Sequence, residues 1–540
     1  MSVHTFTNKI MLNIFAATTF QTANEYFQSL KNDIEKKAEA RAFVEGDDWR
    51  DGKNWTGPQF EGTTKLSTAL KKAIEREFAS IGTVKSTARR HRRGVVGRIP
   101  GWQITSRNAP VDPDAELPKE IQDLIGEAQK ILNEFWKNSR VHRTVKEFVD
   151  DYLAVNRAIL RLFFVQSGDG ENGVDVAETV EAAVRLIHLF KEKPEQGIVV
   201  FDKETLQKSS FFRYEKGGVQ YIEQCYIEDG MTIFRTLTGD GYLQQKAAAV
   251  VAPYLEKQTE DEQSPVELPL GGKLLVFEIK GNGFITPAMC SQQKLQNKAA
   301  TMMSHNLDTA GFRSTMIING MPPGEFKEID GKKVFVPFEE GIEFGAGQIT
   351  YVSGVPTVEK DAQKDTVKTS YSTPGVHESE PVSVTTFADT IREAGDAILE
   401  DADQKHVTVG GDVEASGESL RQRREDYAGS LEDTKSDLDD VMSEVLEAVL
   451  ALVAYLMNAP DKYKDLQVTF NAILNAGPVS IEDRSQATAE ADGGYRTKES
   501  AMELIGITDP DAMAAAVKKQ QEENPEPDPK IDPKKKEEEK

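Results

Sequence analysis

PVSVTTFADTIREAGDAILEDADQKHVTVGGDVEASGESLRQRREDYAGSLEDTKSDLDDVMSEVLEAVLALVAYLM, residues 381 to 457, reads as a helix, a short glycine-bearing loop and a much longer helix. In the first helix Phe387, Ile391, Ala394 and Ile398 recur at four, three and four, which puts them on one face of a 3.6-residue turn. Asp389, Glu393, Asp396 and Glu400 fall mainly on other faces. Thr386 with Asp389 three residues on has the form of a capping box, and the helix is expected to fail near Gln404. His406 to Glu418 carries Gly410, Gly411 and Gly417, too much glycine for a helix interior. Ser416 or Ser419 then caps the second helix. That helix repeats Leu431, Leu438, Val445 and Leu452 at seven, and Met442, Val449 and Leu456 likewise, so it wants partner helices along its length.

At 540 residues the chain is long enough for two to four domains or one large multipart subunit. A net charge of −24 argues against a protein that wraps nucleic acid, which needs a basic face. It does not argue against a channel that DNA passes without sticking. Cys225 and Cys290 stand in no metal-ligand spacing and read as two buried reduced thiols. The apolar patch Ile10 to Ala17 is broken by Asn13 and has a thin basic start, so it does not read as a signal peptide. Val445 to Met457 is short and holds Glu447; it is a core helix, not a membrane span.

Upstream, residues 20–42 read as an amphipathic helix and Gly46 to Gly62 as a loop. Leu66, Leu70, Ile74 and Phe78, spaced by four, mark the next helix. Lys85 to Arg98 is the most basic stretch, with Arg89, Arg90, Arg92 and Arg93 and no acid. Two readings stand side by side: phosphate contact, or a solvated loop or inter-subunit partner for the many carboxylates. Helices are expected at 118–137, 142–165 and 176–190, then strands from Gly197, with Asp229-Gly230 as a hairpin turn. Residues 256–266 read as a polar loop and Lys273 to Ile279 as a strand. Gly281-Asn282-Gly283 lacks the third glycine of a dinucleotide fingerprint and reads as a turn. Ala288 to Ala310 reads as a helix with Leu295, Ala299, Met302 and Leu307 near one face. Short strands follow to Pro356, residues 357–380 look polar and mobile, and 466–470 alternates like a strand. Lys498 to Leu504 and Asp511 to Gln521 look helical, and the tail from Glu522 is low-complexity. The whole is α+β and predominantly helical.

The order of elements, with Ser416-Gly417-Glu418-Ser419-Leu420 and then Arg421, Arg423 and Arg424 opening the long helix, resembles the portal proteins of tailed bacteriophages, the head-to-tail connectors through which DNA enters and leaves the capsid. The resemblance covers roughly 285–510. It implies a wing at 1–287, a first stem helix at 288–310, a clip at 311–381 and a second stem helix at 382–404. It further implies a tunnel loop at 405–418, a long kinked helix at 419–458, a wing return strand at 459–484, crown helices at 485–521 and a disordered tail at 522–540. Portals form closed rings, usually of twelve subunits, so the resemblance implies a homo-oligomer, a dodecamer. Its partners would be double-stranded DNA passing non-specifically, a terminase on the clip, a head–tail adaptor, and major capsid and scaffold proteins. It would have no membrane partner, would be assembled in the host cytoplasm and would be carried in the virion.

On that resemblance Asp389, Glu393, Asp396, Glu400 and Asp403 line the bore, the other reading being a solvated helix face. Lys405 and His406 touch phosphate while Asp412 and Glu414 prevent tight retention, the other reading being a plain interhelical connection. The sequence carries no GxxxxGK[ST] loop, no HExxH, no GxSxG and no CxxC, so neither an enzyme nor a cofactor is expected, and the motor ATPase is a separate protein. A tail adaptor or scaffold without a DNA channel is the alternative.

Overall fold

The computed structural model describes residues 14–46, 78–107, 117–138, 140–164, 177–238, 241–242, 266–281, 283–311, 315–319, 324–337, 349–352, 357–361, 366–370, 373, 375–378, 380, 382–405, 417–475 and 489. The chain divides into two compact units, Met1–Leu474 and Asn475–Lys540. Only residues 475 and 489 of the second are described, and the architecture that follows is that of the first.

In chain order the described elements begin with a 3-10 turn, Ile14–Ala17, and helices α1 (Phe20–Glu35), α2 (Ala38–Glu45) and α3 (Thr83–Val96). Strand β1 (Gly101–Ser106), α4 (Lys119–Asn138), α5 (Val141–Val155), β2 (Arg157–Phe164), α6 (Val180–Leu186) and β3 (Ile187–Glu192) follow. Next come β4 (Gly197–Phe201), β5 (Lys208–Lys216), β6 (Val219–Glu228), β7 (Met231–Thr238), β8 (Gly241–Tyr242), β9 (Val266–Leu268) and β10 (Val276–Lys280). After α7 (Pro287–Gly311) lie β11 (Thr315–Ile318), β12 (Gly324–Ile329), β13 (Lys332–Pro337), β14 (Ile349–Val352), β15 (Thr357–Asp361), β16 (Thr366–Ser370) and β17 (Gly375–Glu378). Helices α8 (Val384–Asp401) and α9 (Gly417–Leu456) and strand β18 (Leu466–Asn471) are the last of the described elements. The class is α+β, as the sequence predicts.

Two layers of antiparallel sheet sit at the centre. Strands β4 to β8 form a meander, with β9 added beside β7. The turn at Asp229-Gly230 takes φ of 50° and 78°, the left-handed pair that a two-residue hairpin needs. One face of this sheet is covered by α1, whose Ala23, Phe27, Leu30 and Ile34 pack with Phe15 on Phe211, Ile222, Tyr226, Ile233 and Leu237. The other face meets the sheet β10-β2-β3 through Ile159, Phe212 and Val276. Charges are buried there too. Arg157 pairs with Glu278, which also accepts the Val199 amide at 2.7 Å, and Arg161 pairs with Glu223 at 2.6 Å. Removing one partner of such a pair leaves an uncompensated charge, which costs about 3–5 kcal/mol.

The long helix α9 runs without interruption for 40 residues. All seven heptad positions named from the sequence, Leu431, Leu438, Met442, Val445, Val449, Leu452 and Leu456, are fully buried. They pack against α3, α4, α6, β10 and β18. The partners are therefore sheets as well as helices. Strand β18 pairs antiparallel with β1, from Gly101↔Asn471 to Ser106↔Leu466. Trp102, Trp136 and Phe470 close the seam, with ring centroids 5.4 and 5.9 Å apart.

Several expectations are corrected. The helix expected over 20–42 is two helices. The one expected over 142–165 ends at Val155, where Asn156 takes φ of 63°, and residues 157–164 are a strand buried on both faces. A strand of that kind is a continuous apolar run, which periodicity does not distinguish from a buried helix. For the same reason the helix expected over 176–190 is only α6, followed by β3. Strands β1 and β5 went unread, and the strand read from Lys273 begins at Val276. The basic stretch 85–98 is helical, not a loop. Residues 357–380, read as mobile, contain β15, β16 and β17. Helix α8 starts at Val384 with Ser383 at its cap and no side-chain capping bond, so Thr386 and Asp389 form no capping box. Ser419 lies inside α9. Most of the loop 46–62 and of the helix marked by Leu66 to Phe78, nearly all of the loop 256–266, Asn282, the helices after 498 and the tail lie outside the described residues.

Candidate functional site

Helices α7 and α8 pack along each other in opposite directions. Thr286 meets Asp401, Gln296 Nε2 donates to the Ile391 carbonyl at 2.9 Å, and the Asn306 amide clasps the backbone of Val382 at 2.8 Å on both its N–H and its carbonyl. Partner numbers fall as α7 numbers rise, which defines an antiparallel pair. Strands β11 to β17 lie between them in sequence, at the end marked by Asn306 and Val382.

The face α7 buries is not the apolar one expected. Leu295 is 44% exposed and Leu307 52%. Met289 and Cys290 are buried at its start; from there on the buried side chains are Gln293, Gln296, Asn297, Thr301 and Asn306, with Ala299 and Ala300. Three of the polar ones hold the extended backbone that leads into α3. Gln293 Oε1 accepts from Val84 N at 2.9 Å, Asn297 Oδ1 from Ile81 N at 2.9 Å, and Thr301 Oγ1 from Ala79 N at 3.0 Å. From Thr301 to Asn297 four residues of helix, about 6 Å, match the two residues of extended chain from Ala79 to Ile81, about 6.6 Å; the next step, from Asn297 to Gln293, spans three residues, Ile81 to Val84, where the chain turns into α3. This polar row was legible as Gln293, Asn297 and Thr301 at i, i+4 and i+8. An apolar search passes over it.

Helix α8 buries Ala394, Gly395, Ile398 and Leu399 and leaves its acids outward. Asp389, Glu393 and Glu400 are exposed and Asp396 is half-buried. At about 100° per residue these four fall within an arc of about 60°, opposite the buried face. Among residues 384–405 six acids stand against two bases. The bases answer locally, Arg392 to Asp389 and Lys405 to Glu400, both at 3.1 Å and both exposed, where such pairs are worth little. Asp403 follows the helix with φ of 54°. Burial first, and then Asp426 and Asp401, raises its carboxyl above the ordinary range.

The expected tunnel loop is anchored at a point sequence reasoning missed. Gln404 is fully buried; its amide donates to the Thr87 carbonyl at 3.0 Å and accepts from Arg90 Nη1 at 3.2 Å. The Arg90 carbonyl in turn accepts from Tyr427 Oη on α9 at 3.1 Å. Arg90 thus touches both flanks of the segment 406–416. Lys405 is described, whereas His406, Asp412 and Glu414 lie outside the described residues.

The four arginines of the basic stretch separate by environment. Burial lowers the pKa of Arg90, and Arg92 pairs with Asp150 of α5. Arg89 and Arg93 are exposed. The carboxylate partner of Arg92 is therefore within the chain, and the buried face of α3, including Val84, Ala88, His91 and Val95, is core.

The two cysteines are free and buried, and burial pushes their thiols up to about 12 at Cys225 and about 11 at Cys290. Among the described residues no group of His, Cys, Asp and Glu is placed to hold a metal, and no helix is long and apolar enough to cross a membrane. No family model and no curated protein matches the chain.

Proposed function

We propose that the chain is the subunit of a portal ring at one capsid vertex, a channel for double-stranded DNA during packaging and ejection. The observation that carries the reading is the antiparallel pair α7–α8. It has a β-rich module at one end, an acidic stripe facing away from the protein, and a buried anchor at Gln404 before the segment that leads into the long helix. In a ring each acid of the stripe becomes a ring of acids. Double-stranded DNA carries one charge per about 1.7 Å of axis, so an 18-residue helix of about 27 Å passes about 16 phosphates at a time. Ion pairs at even a few of them hold DNA fast, and a repulsive wall lets it slide. Repulsion reaches only about 8–10 Å in physiological salt, so it acts where DNA nears the wall and fades at the axis.

In this assignment residues 1–287 with β18 form the wing, 288–310 and 382–404 the stem, and 311–381 the clip. The clip takes the terminase during packaging and the head–tail adaptor afterwards, and the capsid and scaffold proteins surround the ring. The chain itself catalyses nothing. Negative-stain electron microscopy of the purified full-length protein is the test. Rings of about twelve-fold symmetry with a bore of roughly 20–40 Å, wide enough for B-DNA, are the expected result. Monomers that persist at high concentration and across ionic strengths overturn the reading and leave an adaptor or scaffold protein. Divalent-metal-dependent cleavage of DNA would make it an enzyme.

A further inference from the structure

Between α7 and α8 the described residues include seven strands, and not one described side chain from Thr315 to Glu380 is buried. The residues are not those of a solvent-facing loop. Phe326 is 65% exposed, Val376 64%, Ile349 58%, Ile329 49% and Val334 43%. A two-stranded ribbon alone is marginal in water, and side chains that bury nothing cannot offset the chain entropy of ordering it. A module of this composition is held in form by a surface it covers.

The hairpin β12–β13 shows how many such surfaces there are. Its register pairs Phe326 with Phe335 and Glu328 with Lys333 on one face. The two rings stand edge to face with centroids 5.3 Å apart. The other face carries Val334, Val336 and Ile329, with Glu325, Lys327 and Lys332 beside them, Glu325 and Lys327 bridged at 2.7 Å. The first face is apolar at its centre with a charged pair at one end, and on the second each cross-strand pair sets an apolar residue beside a charged one, so both faces combine apolar side chains with both signs of charge. The sheet β14-β11-β17 is two-sided in the same way. Met316 and Ile318 lie on one face of β11 and Ile317 on the other, and none is buried.

We infer that this module is an assembly interface for further copies of the same chain, joined head to tail, the Phe326–Phe335 face of one protomer seated on the Ile329–Val334–Val336 face of its partner. Copies supply the two unlike faces in equal number, so each protomer is covered on both sides. A symmetric dimer would cover one face twice and leave the other wet. Charge favours the same occupant. Residues 324–337 hold three acids and three bases, whereas the chain as a whole carries −24. Copies repel over most of their surface and meet where the charge cancels. The inference rests on the ring reading only for closure; the contact itself needs no DNA.

The test uses the full-length protein, Phe326→Lys and Val334→Lys, followed by mass photometry. Both side chains are exposed in the single chain, so lysine is compatible with its fold, and circular dichroism checks this. Wild type is expected to form species larger than a dimer. Each variant is expected to weaken assembly at least 100-fold, and an equimolar mixture to stop at a heterodimer with one intact contact. If either variant assembles like wild type, the inference falls while the ring reading stands. If wild type stops at a symmetric dimer, both fall. If wild type forms head-to-tail rings too narrow for DNA, the inference stands and the conduit falls. Hydrogen exchange gives an independent check. Amides of 324–337 should be protected on assembly, and unchanged exchange overturns the inference.

Discussion

His91 is an ionisable group in the core of a helix crossing, 1% exposed. Its Nε2 shares a hydrogen bond of 2.9 Å with Thr434 Oγ1, its ring lies 4.2 Å from Phe284, and Nδ1 has no partner. Burial holds its pKa down at about 4. The unfolded chain takes up a proton near pH 6.5, and the folded chain does not until about pH 4. Stability therefore falls as pH drops through that window and levels off below it, by about 2 kcal/mol at pH 5 and about 3 kcal/mol in full. His91→Gln keeps a group able to reach Thr434 and removes the titration. Melting midpoints of the two proteins, compared from pH 7 to pH 5, should converge. A constant difference would show that His91 is not the group at work. Nothing in RRHRR announces this role; a histidine among arginines reads as surface. Its burial follows from its place on the face of α3 that α9 covers, a fact of packing rather than of local sequence.

At the scale of elements, legibility followed the chemistry of the buried face. Helices α8 and α9 were read to within a few residues because apolar side chains recur on one face of each. Helix α7 was found, and its buried face was misread, because amides do there what leucines usually do. The two are not interchangeable in cost. Gln293→Leu keeps the volume and strips the Val84 amide and the Ile81 carbonyl of their partners, a loss of about 2–4 kcal/mol. Leu295→Gln on the same helix is expected to stay within about 0.5 kcal/mol, since Leu295 is exposed. A hydrophobicity rule orders them the other way round. Hydrogen exchange at residues 79–84 separates the two orderings. Tenfold or faster exchange in Gln293→Leu alone supports the polar row, and unchanged exchange there rules it out. Strand β2, by contrast, was lost because it is buried on both faces, so its residues carry no alternation to read.

On the scale of the whole molecule, charge is the property most visible in the sequence and least explained by a single chain. The four acids of the α8 stripe lie opposite its buried face, and among the described residues they find only two weak local ion-pair partners. A lone helix gains nothing from such a stripe, whereas a repeated one in a closed ring makes a wall. The reading turns on sign, so reversing the sign tests it. Asp389→Lys, Glu393→Lys and Glu400→Lys together change each subunit from three negative charges to three positive ones. All three side chains are exposed, so the fold and the assembly should survive. Wild-type rings are expected to retain almost no duplex DNA. Triple-variant rings are expected to hold it at 50 mM salt and to release it steeply by 200 mM, since each phosphate contact adds close to one unit to the salt slope. Retention measured on filters across that range decides the matter. Variant rings that assemble and still let DNA go at low salt would place the stripe on an outer, solvated face. The acids would then serve solubility, and the wall of any bore would have to be sought on another element.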